Sequence, residues 1–390
     1  MTPHFVALVL ALTALLVPTG CATAADVPAA PPPTPAAYWV YIGTFSQSGS
    51  KGIYLFKLDT AAGTLTPQGL AAEESDPNFL ALHPNGNVLY AVASKPGNQG
   101  AVDAFTIDRA TGKLALLNQQ PTGGANAVYV SVDRAGKMAF VANYDGPSVA
   151  ALPLNPDGSL AAAATDTHTG SSINPGRQKR AFPHSILTDP AGHFAFSPDL
   201  GCDKIFSNKL ETSHGTMAAN DPATFTVPAG FGPRHMAFHP TAPYAYILTE
   251  MAGKILTCSY DPARGTLQAL DATSTLPADY RGGFTAAEIK VHPSGRFLYA
   301  STRGPNIVGA YDIDPATGKL TFLENQSTRG RTPRGFNLDP SGAFLIAANQ
   351  DSNSIALFRI DSKTGLLTPT GPTLQAPCPV SVLFVPVSAN

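Results

Sequence analysis

Apolar residues recur along this chain in short runs separated by polar, turn-forming residues. Within the runs the pattern is continuous or alternates with period two. That predicts β-strands and no long amphipathic helix. The stretch 78–120 shows the unit. Asn78-Phe-Leu-Ala-Leu-His83 reads as a first strand, Pro84-Asn-Gly-Asn87 as a turn and Val88-Leu-Tyr-Ala-Val-Ala93 as a second strand. Ala101-Val-Asp-Ala-Phe-Thr-Ile-Asp108 alternates as a third, Arg109-Ala-Thr-Gly112 turns, and Leu114-Ala-Leu-Leu117 opens a fourth. Gly and Asn tolerate positive φ and Asp bonds to its own backbone, so each break carries its own turn chemistry.

The first turn recurs six times, as His/Asp-Pro-x-Gly or a close variant. The segments are Leu82-His-Pro-Asn-Gly86, Val132-Asp-Arg-Ala-Gly136, Thr188-Asp-Pro-Ala-Gly192, Phe238-His-Pro-Thr-Ala242, Val291-His-Pro-Ser-Gly295 and Leu338-Asp-Pro-Ser-Gly342. Their His/Asp positions (83, 133, 189, 239, 292, 339) are spaced as one supersecondary unit each. A second turn recurs too: Asp59 to Gly63, Asp108 to Gly112, Asn155 to Gly158, Asp261 to Gly265, Asp314 to Gly318 and Asp361 to Gly365, with a degenerate version around Glu211 to Met217. That makes seven units. Tyr38-Trp-Val-Tyr-Ile-Gly43 opens the domain as a second strand, with Gly52 to Asp59 third and Leu65 onward fourth. The missing first strand is offered by Val380-Ser-Val-Leu-Phe-Val-Pro386. The expected fold is all-β: a seven-bladed β-propeller with four antiparallel strands per blade, closed where the N- and C-terminal strands share one blade.

Composition adds bounds to this picture. The 390 residues are 44% hydrophobic and only 13% charged, with a net charge of -2. Such a chain can bury large sheet interfaces as a single ring. No basic cluster runs longer than Arg177-Gln-Lys-Arg180, so nucleic acid is not an expected partner.

Residues 1–25 read as an export signal, 26–37 as a Pro/Ala-rich linker and 38–390 as the propeller. Phe5 to Val17 is an apolar core too short for a transmembrane helix, and Ala22-Thr23-Ala24 fits a signal-peptidase site. Gly20-Cys21 is an alternative lipobox, with Pro18 where an aliphatic residue is expected, so Cys21 is a candidate lipid anchor. Either route places the protein in the periplasm or outside the cell. Cys202, Cys258 and Cys378 remain in the domain. They read as buried free thiols, with one disulfide as the alternative in an oxidising compartment.

The repeat also serves as an internal ruler. Five residues before the repeated His/Asp stand Asn78, His184, Arg234 and Arg334, at the mouths of innermost strands; Glu288 is one position out of register. Eight residues after the turn stand Ser94, Tyr144, Leu200, Glu250, Arg303 and Gln350, at the exits of second strands, with Asn143 and Asp199 preceding two of them. Both sets open on one face of the ring, opposite the Gly-rich turns. Three arginines at one opening suit a carboxylate or phosphate, and a histidine beside them suits a general base. His83, His239 and His292 share the repeat position with Asp and read as strand-end hydrogen bonders. His235 should point away from its neighbour Arg234, and His168 and His214 sit in long polar loops. No His/Asp/Glu trio has metal-ligand spacing and no cofactor is implied.

Several segments resemble the propeller-type lactonases, the 6-phosphogluconolactonase family that includes the carboxy-muconate lactonizing enzymes. They are Val40-Tyr-Ile-Gly-Thr44, Ala142-Asn-Tyr144, Asn174-Pro-Gly-Arg-Gln178, Pro183-His-Ser185, Asp199-Leu-Gly-Cys-Asp203, Gly232-Pro-Arg-His235, Ala287-Glu-Ile289 and Thr302-Arg-Gly304. The resemblance implies that His184, Arg234, Glu250 and Arg303 carry the chemistry. Asn143, Tyr144, Asp199, Glu288 and Arg334 are the expected substrate contacts. Phe182 stands where the family commonly has a histidine, which makes the rim more apolar. The expected activity is metal-independent hydrolysis of an anionic sugar or carboxylated lactone. A muconate-type cycloisomerase and a non-catalytic binding propeller are the alternatives.

Overall fold

The computed structural model of the chain describes residues 1–2, 35–211 and 215–387. The expected export signal, Cys21, most of the expected linker and His214 lie outside the described residues. The unit spanning Thr34–Asn390 is a ring of seven four-stranded antiparallel sheets. Blade 1 runs outward from Pro379–Pro386 through Ala37–Thr44 and Gly52–Asp59 to Thr64–Glu73. Tyr38 pairs with Pro386, Trp39 with Val385 and Ile42 with Val382, so the two ends of the chain close the ring as expected. The innermost strands of blades 2 to 7 begin at Leu80, Ala127, Leu187, Pro233, Thr285 and Pro333. Blade 4 has its outer hairpin, Lys204–Glu211 with Thr216–Thr226, despite the degenerate turn.

The core lies between blades rather than inside any one of them. Each hydrophobic cluster draws on two neighbours, such as Tyr41, Leu55 and Trp39 of blade 1 against Leu89, Ala91 and Phe105 of blade 2. Middle strands are therefore buried on both faces, which is why Val88 to Ala93 reads as a continuous apolar run.

Two hydrogen-bond systems stitch blades 1, 2, 5 and 6 to the blade that follows each. The tyrosine hydroxyls of second strands donate to outer-turn carbonyls one blade on: Tyr41 to Gly112 at 2.8 Å, Tyr90 to Gly158 at 2.7 Å, Tyr246 to Gly318 at 3.0 Å and Tyr299 to Gly365 at 2.8 Å. Phe140, Phe196 and Ile346 hold that register in the other three blades. Toward the axis, His83, His239 and His292 donate from Nε2 to Gly136, Gly295 and Gly342 of the following blade at 3.1, 2.9 and 2.9 Å. Their Nδ1 atoms accept from their own turn, as with Ala242 N at 2.8 Å. Asp133, Asp189 and Asp339 instead accept from the amides of their own turns, and Asp339 also from the Ser341 hydroxyl. The repeated His/Asp residues are thus hydrogen bonders, and histidine adds a link that aspartate cannot. Cys202, Cys258 and Cys378 are buried free thiols, with no disulfide between them.

Removing one inter-blade link leaves a buried glycine carbonyl unpaired. Tyr246→Phe should cost about 1 to 3 kcal/mol, read as a lowered unfolding midpoint. Tyr244→Phe, whose hydroxyl bond to Ala316 lies at the surface, should cost much less.

Candidate active site

The five-back register works because of a backbone defect. In blade 5, Pro233 pairs with Thr249 and the ladder resumes with His235 opposite Leu248, leaving Arg234 as the extra residue of a β-bulge. Blade 7 repeats this at Arg334 and blade 3 at Val128. In blade 6 the extra residue falls at Ala287–Glu288, which explains the offset of Glu288. A bulge bends its strand and re-aims its side chain, here toward the ring axis.

The bulge also overturns an expectation. His235 does not point away from Arg234: Arg234 Nη1 lies 3.1 Å from both of its ring nitrogens, and the His235 ring packs edge-on to His184 at 5.4 Å. Phe79 and Tyr129 meet His235 at 5.9 and 5.2 Å and close the channel beneath the site.

Above this floor lies a cavity of about 380 Å³ lined by Tyr144, Arg177, His184, Glu250, Arg303 and Arg334, among others. Glu250 is its hub. Arg177 Nη2 approaches the carboxylate at 2.5 Å, Arg303 Nη2 at 3.0 Å, Arg234 Nε at 3.1 Å and His184 Nε2 at 3.9 Å. Arg334 stacks on Phe45 at 5.0 Å and has no carboxylate partner among the described residues. Tyr144 stacks on Phe182 at 4.8 Å and meets His184 edge-on at 5.2 Å, so Phe182 supports the rim rather than lining the cavity.

Other expected contacts fall elsewhere. Asn143 is buried between Thr122 and Ser148, accepting at 2.7 Å and donating at 3.1 Å. Asp199 accepts from the amides of Phe182, Gly201 and Cys202 and pairs with His168 Nδ1 at 2.9 Å. Both are loop anchors, since along a strand neighbours of an inward residue face outward. Glu288 lies below the cavity, accepting from His235 Nδ1 at 3.0 Å with Lys290 3.6 Å away. Arg177 was missed as a site residue because its loop has no counterpart in the repeat, although it stands in the Asn174-Pro-Gly-Arg-Gln178 motif.

Electrostatics follow from this packing. Burial would raise Glu250, but Arg303, Arg234 and Arg177 overcome it and hold the carboxyl at about 2. Burial is likewise outweighed at Glu288 by Lys290 and His235, again giving about 2. Burial, then Arg234, His235 and Arg334, push His184 well below 6.5. His184 is therefore neutral at neutral pH, and its Nδ1 is buried without a partner. Burial, with Arg303 and Arg334, lowers Arg234 to about 9, still charged at pH 7. Three guanidinium groups thus reach one carboxylate, with a fourth, Arg334, on the same cavity wall.

The sequence matches the family described as "Lactonase, 7-bladed beta-propeller" over residues 39–384. The chain belongs to this family. It is 35% identical to the 6-phosphogluconolactonase of Bacillus subtilis over 77% of this chain and 84% of that one. It is 34% identical to the 6-phosphogluconolactonase of Formosa agariphila over 76% and 85%. Among solved structures, the periplasmic gluconolactonase of Pseudomonas aeruginosa superposes with a TM-score of 0.85 at 32% identity, covering 90% of this chain and 100% of that one. The propeller is a lactonase, and its fold is the family's.

Two outcomes test the charge geometry. Folded carboxyls held near 2 against an ordinary 4.5, and His235 held at about 4 against 6.5, stabilise the fold at neutral pH. Their contribution to stability should be level above pH 6.5, fall toward pH 4 as only unfolded histidine takes up protons, and fall further between 4.5 and 2 as the glutamates protonate, while Asp103, raised by burial to about 7, works the opposite way between 7 and 3.8. The midpoint of urea unfolding against pH checks this. Glu250→Gln leaves buried guanidinium groups uncompensated and should cost about 3 to 5 kcal/mol, part of it recovered in phosphate buffer.

Proposed function

We propose that this lactonase hydrolyses a sugar-type lactone carrying an anionic group, outside the cytoplasm. The observation that carries the reading is the excess of guanidinium over carboxylate in the cavity, and above all Arg334, half-buried on the cavity wall and in no salt bridge among the described residues. A guanidinium on a cavity wall with no paired carboxylate is a seat for a carboxylate or phosphate. The family's 6-phosphogluconolactonases support a phosphorylated sugar lactone. The resemblance to a periplasmic gluconolactonase supports an exported enzyme acting on the unphosphorylated ring as well.

In this reading Arg334 and Arg303 hold the substrate anion. His184, neutral and partly unpaired, takes a proton from the attacking water. Arg234 faces the lactone carbonyl as negative charge develops on its oxygen, and Glu250 offsets the mutual repulsion of the guanidinium groups and stabilises the imidazolium that forms on His184. Ring opening transfers a proton to the leaving alkoxide and yields the open-chain hydroxy acid. Tyr144 presents an aromatic face to the ring carbons. The apolar segment Phe5 to Val17 and the site Ala22-Thr23-Ala24 support export, with Cys21 as the alternative point of lipid attachment.

The experiment is proton release from 6-phosphogluconolactone and from glucono-δ-lactone by the purified protein. His184→Ala should lower kcat about 10²- to 10⁴-fold on both. Arg334→Ala should raise KM for the charged lactone about 10- to 100-fold, the loss of a charge-assisted contact, and leave the neutral one nearly unchanged. Full activity in His184→Ala would overturn its role. Equal effects of Arg334→Ala on both lactones would overturn the anion seat.

A further inference from the structure

Beneath the cavity lies a group of side chains that the proposed chemistry does not use. Blade 5 contributes His235, blade 6 Glu288 and Lys290, blade 3 Tyr129 and blade 2 Phe79. His235 is at its centre and is buried. Its Nδ1 lies 3.0 Å from a carboxylate held ionised, so Nδ1 carries the ring proton. Arg234 Nη1 lies 3.1 Å from both ring nitrogens, and with Nδ1 protonated Nε2 is the ring's one lone pair open to it. The same Nη1 donates to the carbonyl of Ala287, while Arg234 Nε faces Glu250 but makes no aligned hydrogen bond to it. The guanidinium is thus held from below rather than from the cavity side.

We infer that His235 is a positioning residue: its Nε2 lone pair, oriented by the Glu288 carboxylate, fixes the buried guanidinium of Arg234 under the cavity before any anion arrives. The inference rests on the proposed role of Arg234 opposite the lactone carbonyl, where the carboxylate of the ring-opened product would lie. Charge supports it. Arg234 stands among Arg303 and Arg334, and a second proton on His235 would place another cation 3.1 Å from it. Burial, then Arg234, hold His235 at about 4, so the ring stays neutral at neutral pH even though Glu288 pulls the other way. The charged and titratable groups facing the ring are Arg234, Glu288, Lys290, His184 and Tyr129. Preorganisation of this kind spares the substrate the cost of orienting the donor.

The test compares two variants with wild type. His235→Gln can donate to Glu288 and still offer an oxygen to Arg234, whereas His235→Phe fills the channel and offers neither. Binding of 6-phosphogluconate, read by calorimetry, should weaken about 10- to 100-fold in His235→Phe and less than about 5-fold in His235→Gln. The kcat for lactone opening should follow the same order, with KM nearly unchanged. Equal affinity in both variants and wild type would overturn the inference, as would equal loss in both folded variants, which would make the residue a packing wedge. Should His235→Phe fail to fold, the ¹⁵N shifts of the wild-type ring decide. A protonated Nδ1 with a bare Nε2 at pH 7 is expected, and the opposite tautomer or an imidazolium overturns it. A wild type that binds the anion yet opens no lactone sinks the hydrolytic reading alone. One that binds no anion sinks the anion-seat reading, while the tautomer still decides the contact between His235 and Arg234.

Discussion

The whole arrangement depends on closing the ring. Blade 1 exists only because Pro379–Pro386 pairs with Ala37–Thr44. Without that pairing two sheet edges and the flanks of blades 1 and 7 would face water. The functional side chains depend on the same closure, since no blade supplies more than two of them. Phe45 comes from blade 1, Tyr144 from blade 3, Arg234 and Glu250 from blade 5, Arg303 from blade 6 and Arg334 from blade 7, with His184 just ahead of blade 4's innermost strand. Converging cations repel one another, so the inter-blade packing and the tyrosine and histidine links must outweigh that repulsion. Glu250, within 3.1 Å of three guanidinium groups, reduces what they have to outweigh.

Repetition and departure from it divide the labour between the two faces. On one face near-identical turns hand hydrogen bonds from blade to blade, and their glycines take the positive φ that the tight turns require. On the other face the innermost strands carry bulges, and each bulge offers a position whose side chain is released from the ladder. A valine there, as at Val128, leaves a wall; an arginine there, as at Arg234 or Arg334, makes a site.

This division explains what could be read in the sequence. The turns repeat, so the blade count, the strand order and the closing blade were legible, and so were His184, Arg234, Glu250, Arg303 and Arg334 by their distance from the turns. Three things were not. Arg177 belongs to a loop outside the repeat, so no ruler reaches it. Asn143 and Asp199 lie next to the inward positions, and counting alone does not say which neighbour faces the axis. His235 was assigned to the outer face by strict alternation, which a bulge suspends for one residue.

If His184 is the base and Arg334 the anion seat, as proposed, the two are electrostatically one device. Burial and the nearby guanidinium groups of Arg234 and Arg334 disfavour protonation of His184. An anion seated on Arg334 brings negative charge toward the same groups, and the oxyanion that develops over Arg234 brings more. Each reduces the positive potential at His184, so the histidine becomes more basic as the substrate binds and the carbonyl is attacked. On that reading, the charge imbalance that makes the cavity a poor place for a proton would tie proton transfer to the presence of the correct anion.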